Sequence, residues 1–134
     1  MQQATSARFP VVATSTSTAT NIGTIALADQ LNHLRARVPL AEGDVARATG
    51  VDEATVRGWI ERKAVPMGGH ANRLAELIAA VEEMALNIQP DGIPEWLRDE
   101  VPALQGEAPA DVIASGGYRR VMDIALWLSA GGFT

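Results

Sequence analysis

The sequence predicts an all-α protein. Apolar residues recur at three- and four-residue steps in several separate stretches, and no stretch sustains two-residue alternation. The breaks between periodic stretches fall at Pro and Gly. With 134 residues, 47% of them hydrophobic, the chain can build one ordinary domain or two small helical ones, and disorder throughout is excluded.

Residues 1–22 include the run ATSTSTAT (Ala13 to Thr20), show no hydrophobic period and are expected to form a flexible arm. The rival expectation is that Phe9, Val11 and Val12 form an edge strand or dock on a neighbouring protomer. From about Gly23 a helix begins, with Leu27, Leu31, Leu34 and Val38 on one face and Pro39 as its stop. A short helix is expected from about Ala41 to Thr49, closed by Gly50, which tolerates a left-handed C-cap. Asp52 is placed to cap a helix reaching about Lys63, with Pro66 and Gly68–Gly69 beyond it.

A longer helix should run from about Ala71 to Ile88, its stripe made by Leu74, Leu77, Ile78, Val81, Met84, Ala85 and Ile88. The segment Gln89 to Glu100 is punctuated by Pro90, Gly92 and Pro94, carries Trp96–Leu97, and reads as a loop. Pro109 suits the first turn of a helix through about Ala114, ended by Gly116–Gly117. The last helix should span about Tyr118 to Ala130, burying Val121, Ile124, Ala125 and Leu128 ahead of a tail, Gly131 to Thr134. The expected organisation is an arm (1–22), a helix-turn-helix domain (23–83) and a C-terminal helical module (84–134).

The net charge of −5 is unevenly spread. Residues 1–63 hold seven Lys/Arg and six Asp/Glu, a net of +1, whereas residues 64–134 hold four and ten, a net of −6. The front half is therefore the one compatible with phosphate. The absence of cysteine excludes a disulfide scaffold, a thiol nucleophile and a cysteine zinc site, and fits a reducing cytoplasm. No apolar run reaches the ~18 residues of a membrane helix, and the N-terminus lacks a signal-peptide pattern. A cytoplasmic chain without a membrane partner is expected. His33 and His70 have no carboxylate three or four residues further along the chain, and no nucleophile elbow or phosphate-cradling glycine loop occurs. No metal, no cofactor and no enzymatic activity are expected.

Glu42 to Lys63, EGDVARATGVDEATVRGWIERK, has the spacing of a helix-turn-helix. Ala46 is small where the second helix must cross, Gly50 accepts positive φ at the turn, and Val51, Val56 and Trp59 fall on inward positions. The second helix would then show a major groove Glu53, Ala54, Thr55, Arg57, Gly58, Glu61 and Arg62. Arg57 is the candidate base reader, because a guanidinium can fork onto guanine O6 and N7. Thr55 would meet a thymine methyl or a phosphate. Arg47, Arg62 and Lys63 would touch backbone phosphates. Nearby Asp52, Glu53 and Glu61 weaken non-specific attraction, so a homodimer reading two half-sites of a palindrome is expected.

The C-terminal stretch contains Trp96–Leu97, then PALQGEAPADVI (Pro102 to Ile113), then GGYRRVMDIALWLSAGGF (Gly116 to Phe133). These motifs resemble the toxin-binding domain of Xre/MbcA/ParS-type antitoxins, firmly over residues 84–134. The helix-turn-helix ahead of them is the domain this family usually carries. The resemblance implies an antitoxin that neutralises a RES-domain, NAD-consuming toxin and represses its own promoter by binding operator DNA. Carried onto this sequence, it singles out Gly131, Gly132, Phe133 and Thr134 as toxin contacts, supported by Tyr118, Arg119 and Arg120. Trp127 is hard to place in so small a core and stands either as filler or as an exposed anchor for a partner. Two other readings stay open: a stand-alone repressor whose C-terminal module serves self-association, and an adaptor without a nucleic-acid role.

Overall fold

The computed structural model describes residues 16–130. They form seven α-helices: α1 (Thr16–Arg37), α2 (Glu42–Thr49), α3 (Glu53–Ile60), α4 (Gly68–Ala85), α5 (Ile93–Arg98), α6 (Pro109–Ala114) and α7 (Tyr118–Ser129). Short 3-10 turns occur at Pro90–Gly92 and Pro102–Leu104. The sole extended pairing among the described residues is an isolated antiparallel bridge between Val101 and Glu107. The all-α expectation holds.

Helix α1 starts at Thr16, inside the stretch expected to be an arm. A helix held by its packed half, Leu27 to Leu34, extends backwards at small cost, because each added residue gains a backbone hydrogen bond without a new nucleus. Residues 1–15, with Phe9, Val11 and Val12, lie outside the described residues.

The end of α3 also differs from expectation. It stops at Ile60 because Arg62 turns into the left-handed region, with φ of 62°. The Lys63 N–H then donates to the Gly58 carbonyl at 2.8 Å and the Arg62 N–H to the Trp59 carbonyl at 3.1 Å. That is the paired-bond cap that usually takes glycine. The side-chain amide of Asn32 donates to the freed Ile60 carbonyl at 3.2 Å, tying α3 to α1.

Helix α5 is the element the sequence reading lacked. Pro94 sits in its first turn, where no intrahelical N–H is needed, so a residue read as a breaker starts a helix instead. Six residues are too few to display a period, yet Ile93, Pro94 and Leu97 are buried and Trp96 packs on the core.

Helix α4 is the axis of the molecule. Helices α1, α2, α6 and α7 all lie against it, and α2 in turn meets α3, α5 and α6. Leu74, Leu77, Ile78, Ala80, Val81 and Met84 of α4 are buried. Leu31 and Leu34 close on this cluster from α1, Val38 from just beyond it, Val112 and Ile113 from α6, and Val121 and Ala125 from α7. Each fully buried Leu, Ile or Val contributes about 1.5–3 kcal/mol. The buried cluster runs unbroken from Leu31 to Ala125, so the described parts of the front and rear segments share one core.

Candidate functional site

Two faces of this core expose the residues singled out from the sequence. The first is built by α2 and α3. Ala46, Val56 and Trp59 are buried, Val51 packs against the core, and Gly50 adopts φ of 78° with its N–H on the Ala46 carbonyl at 2.9 Å. These five residues take the small, left-handed and inward-facing places that their spacing requires. Asp52 caps α3, its Oδ1 accepting from the Thr55 hydroxyl at 2.7 Å and the Thr55 N–H at 2.8 Å. Those two bonds, the hydroxyl's first, hold the Asp52 carboxyl below the usual carboxylate range.

Each candidate DNA contact already has a partner within the chain. The Thr55 hydroxyl is committed to the Asp52 cap. Arg57 donates from Nε at 3.2 Å and Nη2 at 2.9 Å to Glu42 Oε1, and this hydrogen-bonded pairing raises the pKa of its guanidinium. Arg62 pairs with Asp29 of α1, and Lys63 Nζ lies 3.3 Å from Glu61 Oε1. Arg47 is engaged by α6. It forks onto Asp111 of α6, Nε to Oδ1 at 2.6 Å and Nη2 to Oδ2 at 2.7 Å. The hydrogen bond from Arg47 holds the Asp111 carboxyl below its ordinary range.

Asp44, one turn earlier on α2, makes a second fork of opposite sense. Its buried carboxylate accepts from Arg98 Nε at 2.7 Å and Nη2 at 2.9 Å, and from the Ala41 N–H at 3.0 Å. Helix α2 thus grips the rear of the molecule through an acid on α5's arginine and an arginine on α6's acid. Forked pairs of this kind fix orientation as well as adding energy.

The second face belongs to α7. Val121 and Ala125 seal its inner side, while Leu126 is 50% exposed and Trp127 is 55% exposed. Tyr118 is half-buried at the start of the helix, beside a shallow cleft also lined by Glu76, Gly116, Arg119, Met122 and Asp123. Burial first, and the Glu76 charge second, push the Tyr118 phenol up. Arg119 and Arg120 are exposed, and Arg120 Nη2 approaches Gln105 Oε1 at 3.5 Å. Gly131, Gly132, Phe133 and Thr134 lie outside the described residues.

Leu126 is one of the exposed apolar side chains that the sequence did not single out, with Val65, Met67 and Leu86 elsewhere. Its signal was present: it falls off the stripe of Val121, Ala125 and Leu128 that faces α4. Close approach fixes where α7 begins. A Cβ on Gly117 would lie 2.6 Å from Val112 Cγ1 and 3.1 Å from the Val112 carbonyl, so only glycine lets α7 turn back so tightly on α6. Among the described residues no group of His, Asp and Glu is arranged to hold a metal, and no helix is long and apolar enough to cross a membrane.

Leu126 and Trp127 thus leave an apolar edge open on the last helix of an all-α core. No protein-family model matches the chain. Over 82 residues it is 32% identical to a probable mycobacterial cidal antitoxin of Mycobacterium tuberculosis (strain H37Rv), a match spanning 61% of this chain and 70% of that protein. The chain belongs to this family of MbcA-type antitoxins of toxin–antitoxin systems. Its fold is also that of a chain in the crystal structure of the M. tuberculosis MbcT–MbcA toxin–antitoxin complex. The TM-score is 0.71 at 24% identity, covering 81% of this chain and 97% of the other.

Proposed function

We propose that this antitoxin binds and inhibits a RES-domain toxin that consumes NAD, using the outer face of α7 and the residues that follow it. The observation that carries the reading is the exposed pair Leu126–Trp127 on a helix whose other side is sealed in the core. Large side chains left half in water add less stability to the free chain than buried ones, whereas aromatics of this kind are the usual anchors of an interface. Tyr118, Arg119 and Arg120 support the contact from the first turn of α7, and Gly131, Gly132, Phe133 and Thr134 extend it. The RES identity of the toxin rests on the motif resemblance. The setting is the cytoplasm and the action is binding, not catalysis.

The test is co-expression with the reading frame adjacent to this gene. That frame alone should stop growth, the pair should restore it, and the two proteins should co-purify. A harmless neighbour, or two proteins that elute apart, overturns the reading.

The α2–α3 pair acts as a helix-turn-helix that represses the antitoxin's own operon. Its support is the burial of Ala46, Val56 and Trp59 and the left-handed turn at Gly50. Because Arg57, Arg62 and Lys63 are each paired with a carboxylate, one protomer attracts phosphate only weakly. A homodimer on a palindromic operator compensates by docking twice. A gel shift with the upstream DNA at low salt should show a complex, alone or with toxin, and no shift in either case removes the DNA role.

A further inference from the structure

We infer that Glu42 is the residue that orients Arg57 to read a guanine. The inference rests on the DNA-reading role of α3 proposed above. A guanidinium carries five N–H donors in a rigid plane. One edge pairs Nε–H with Nη2–H; the end-on edge pairs Nη1–H with the second Nη2–H. Glu42 Oε1 occupies the first edge, accepting from Nε at 3.2 Å and Nη2 at 2.9 Å. The end-on edge has no partner among the described residues. It presents a two-donor fork that can match O6 and N7 of guanine in the major groove.

The placement of the pair distinguishes a buttress from an incidental surface contact. Glu42 opens α2 and Arg57 lies midway along α3, so the pair bridges the two helices across the Gly50 turn. The Glu42 side chain is 28% exposed and that of Arg57 is 50% exposed, so the carboxylate is the more covered member of the pair. Holding the arginine before docking removes part of the rotamer entropy that a free arginine loses on binding. Glu53 and Glu61, which also face Arg57, repel phosphate. The arrangement weakens sequence-blind attraction and leaves base contact as the discriminating term.

The test uses the full-length chain and a randomised duplex library, with base preference read position by position for wild type, Arg57→Ala, Glu42→Ala and Glu42→Gln. Circular dichroism confirms that each variant is folded. Arg57→Ala should lower the guanine preference at one position of each half-site by about 10-fold. Glu42→Ala should lower it equally although Arg57 is still present. Glu42→Gln, whose amide oxygen can accept the same two bonds, should keep the preference and bind all duplexes more tightly. A Glu42→Ala chain with undiminished preference overturns the buttress while leaving α3 as a DNA reader. Wild type that binds no duplex at low salt, with or without toxin, overturns the DNA role and this inference with it.

Discussion

Tyr118 is the chain's single tyrosine, so its phenol can be followed by ultraviolet absorbance without interference from another. Burial and the neighbouring Glu76 raise its pKa, and the titration midpoint should lie above the ordinary value of about 10. Glu76→Gln should bring the midpoint down partway, since burial, the larger cause, remains. At Gly50 the residue scale is set by backbone alone. A Cβ there meets nothing within 4 Å, but φ is 78°. Gly50→Ala should therefore destabilise the fold by about 1 kcal/mol, read by denaturant titration, and a neutral result would mean the turn relaxes out of the left-handed region. Ala46, Gly50, Val56 and Trp59 were legible in the sequence because their roles are local: size, φ and helical spacing. The partners of the arginines were not. Nothing in the order of residues says that Arg47 reaches Asp111 or that Asp44 reaches Arg98, since fold closure decides which opposite charge lies near.

At the scale of elements, α2 is more than the first half of a reading unit. Its two forks anchor it to α5 and α6, and they differ in what they contribute. Asp44 has a side chain only 6% exposed, so Arg98→Ala strands a buried carboxylate and should cost about 1–3 kcal/mol. Arg47 and Asp111 are each nearly half exposed, so Arg47→Ala should cost under about 1 kcal/mol. Equal losses from the two would contradict this ranking. The Asp111 pair also has a pH signature. Its folded pKa is depressed, so its contribution is complete above the unfolded value near 3.9 and is lost as pH falls through the folded one. Asp111→Asn should lower the melting temperature slightly at neutral pH and converge with wild type below about pH 4, which flattens the acid limb of the profile. The long helices were readable from the sequence because periodicity needs several turns to declare itself. Helix α5 was not, because Pro94 and six residues read as punctuation until the core supplied a place for Ile93 and Leu97.

At the scale of the whole molecule, the front and rear segments fold around one buried cluster with α4 as its axis. The chain should unfold in a single transition, with calorimetric and van't Hoff enthalpies equal; two separable transitions would show that segments 23–83 and 84–134 stand alone. A shared core also fixes the α2–α3 face and the α7 face in one frame, one offering ion-paired polar side chains and the other Leu126 and Trp127. The sequence offered Arg47 as a phosphate contact without showing that its guanidinium is paired with Asp111 of α6. Titration calorimetry of purified toxin against wild type and against Leu126→Ala/Trp127→Ala tests the central claim most directly. The double variant should keep its melting temperature and bind at least about 10-fold more weakly. Unchanged affinity would contradict the assignment of α7 as the toxin-facing helix.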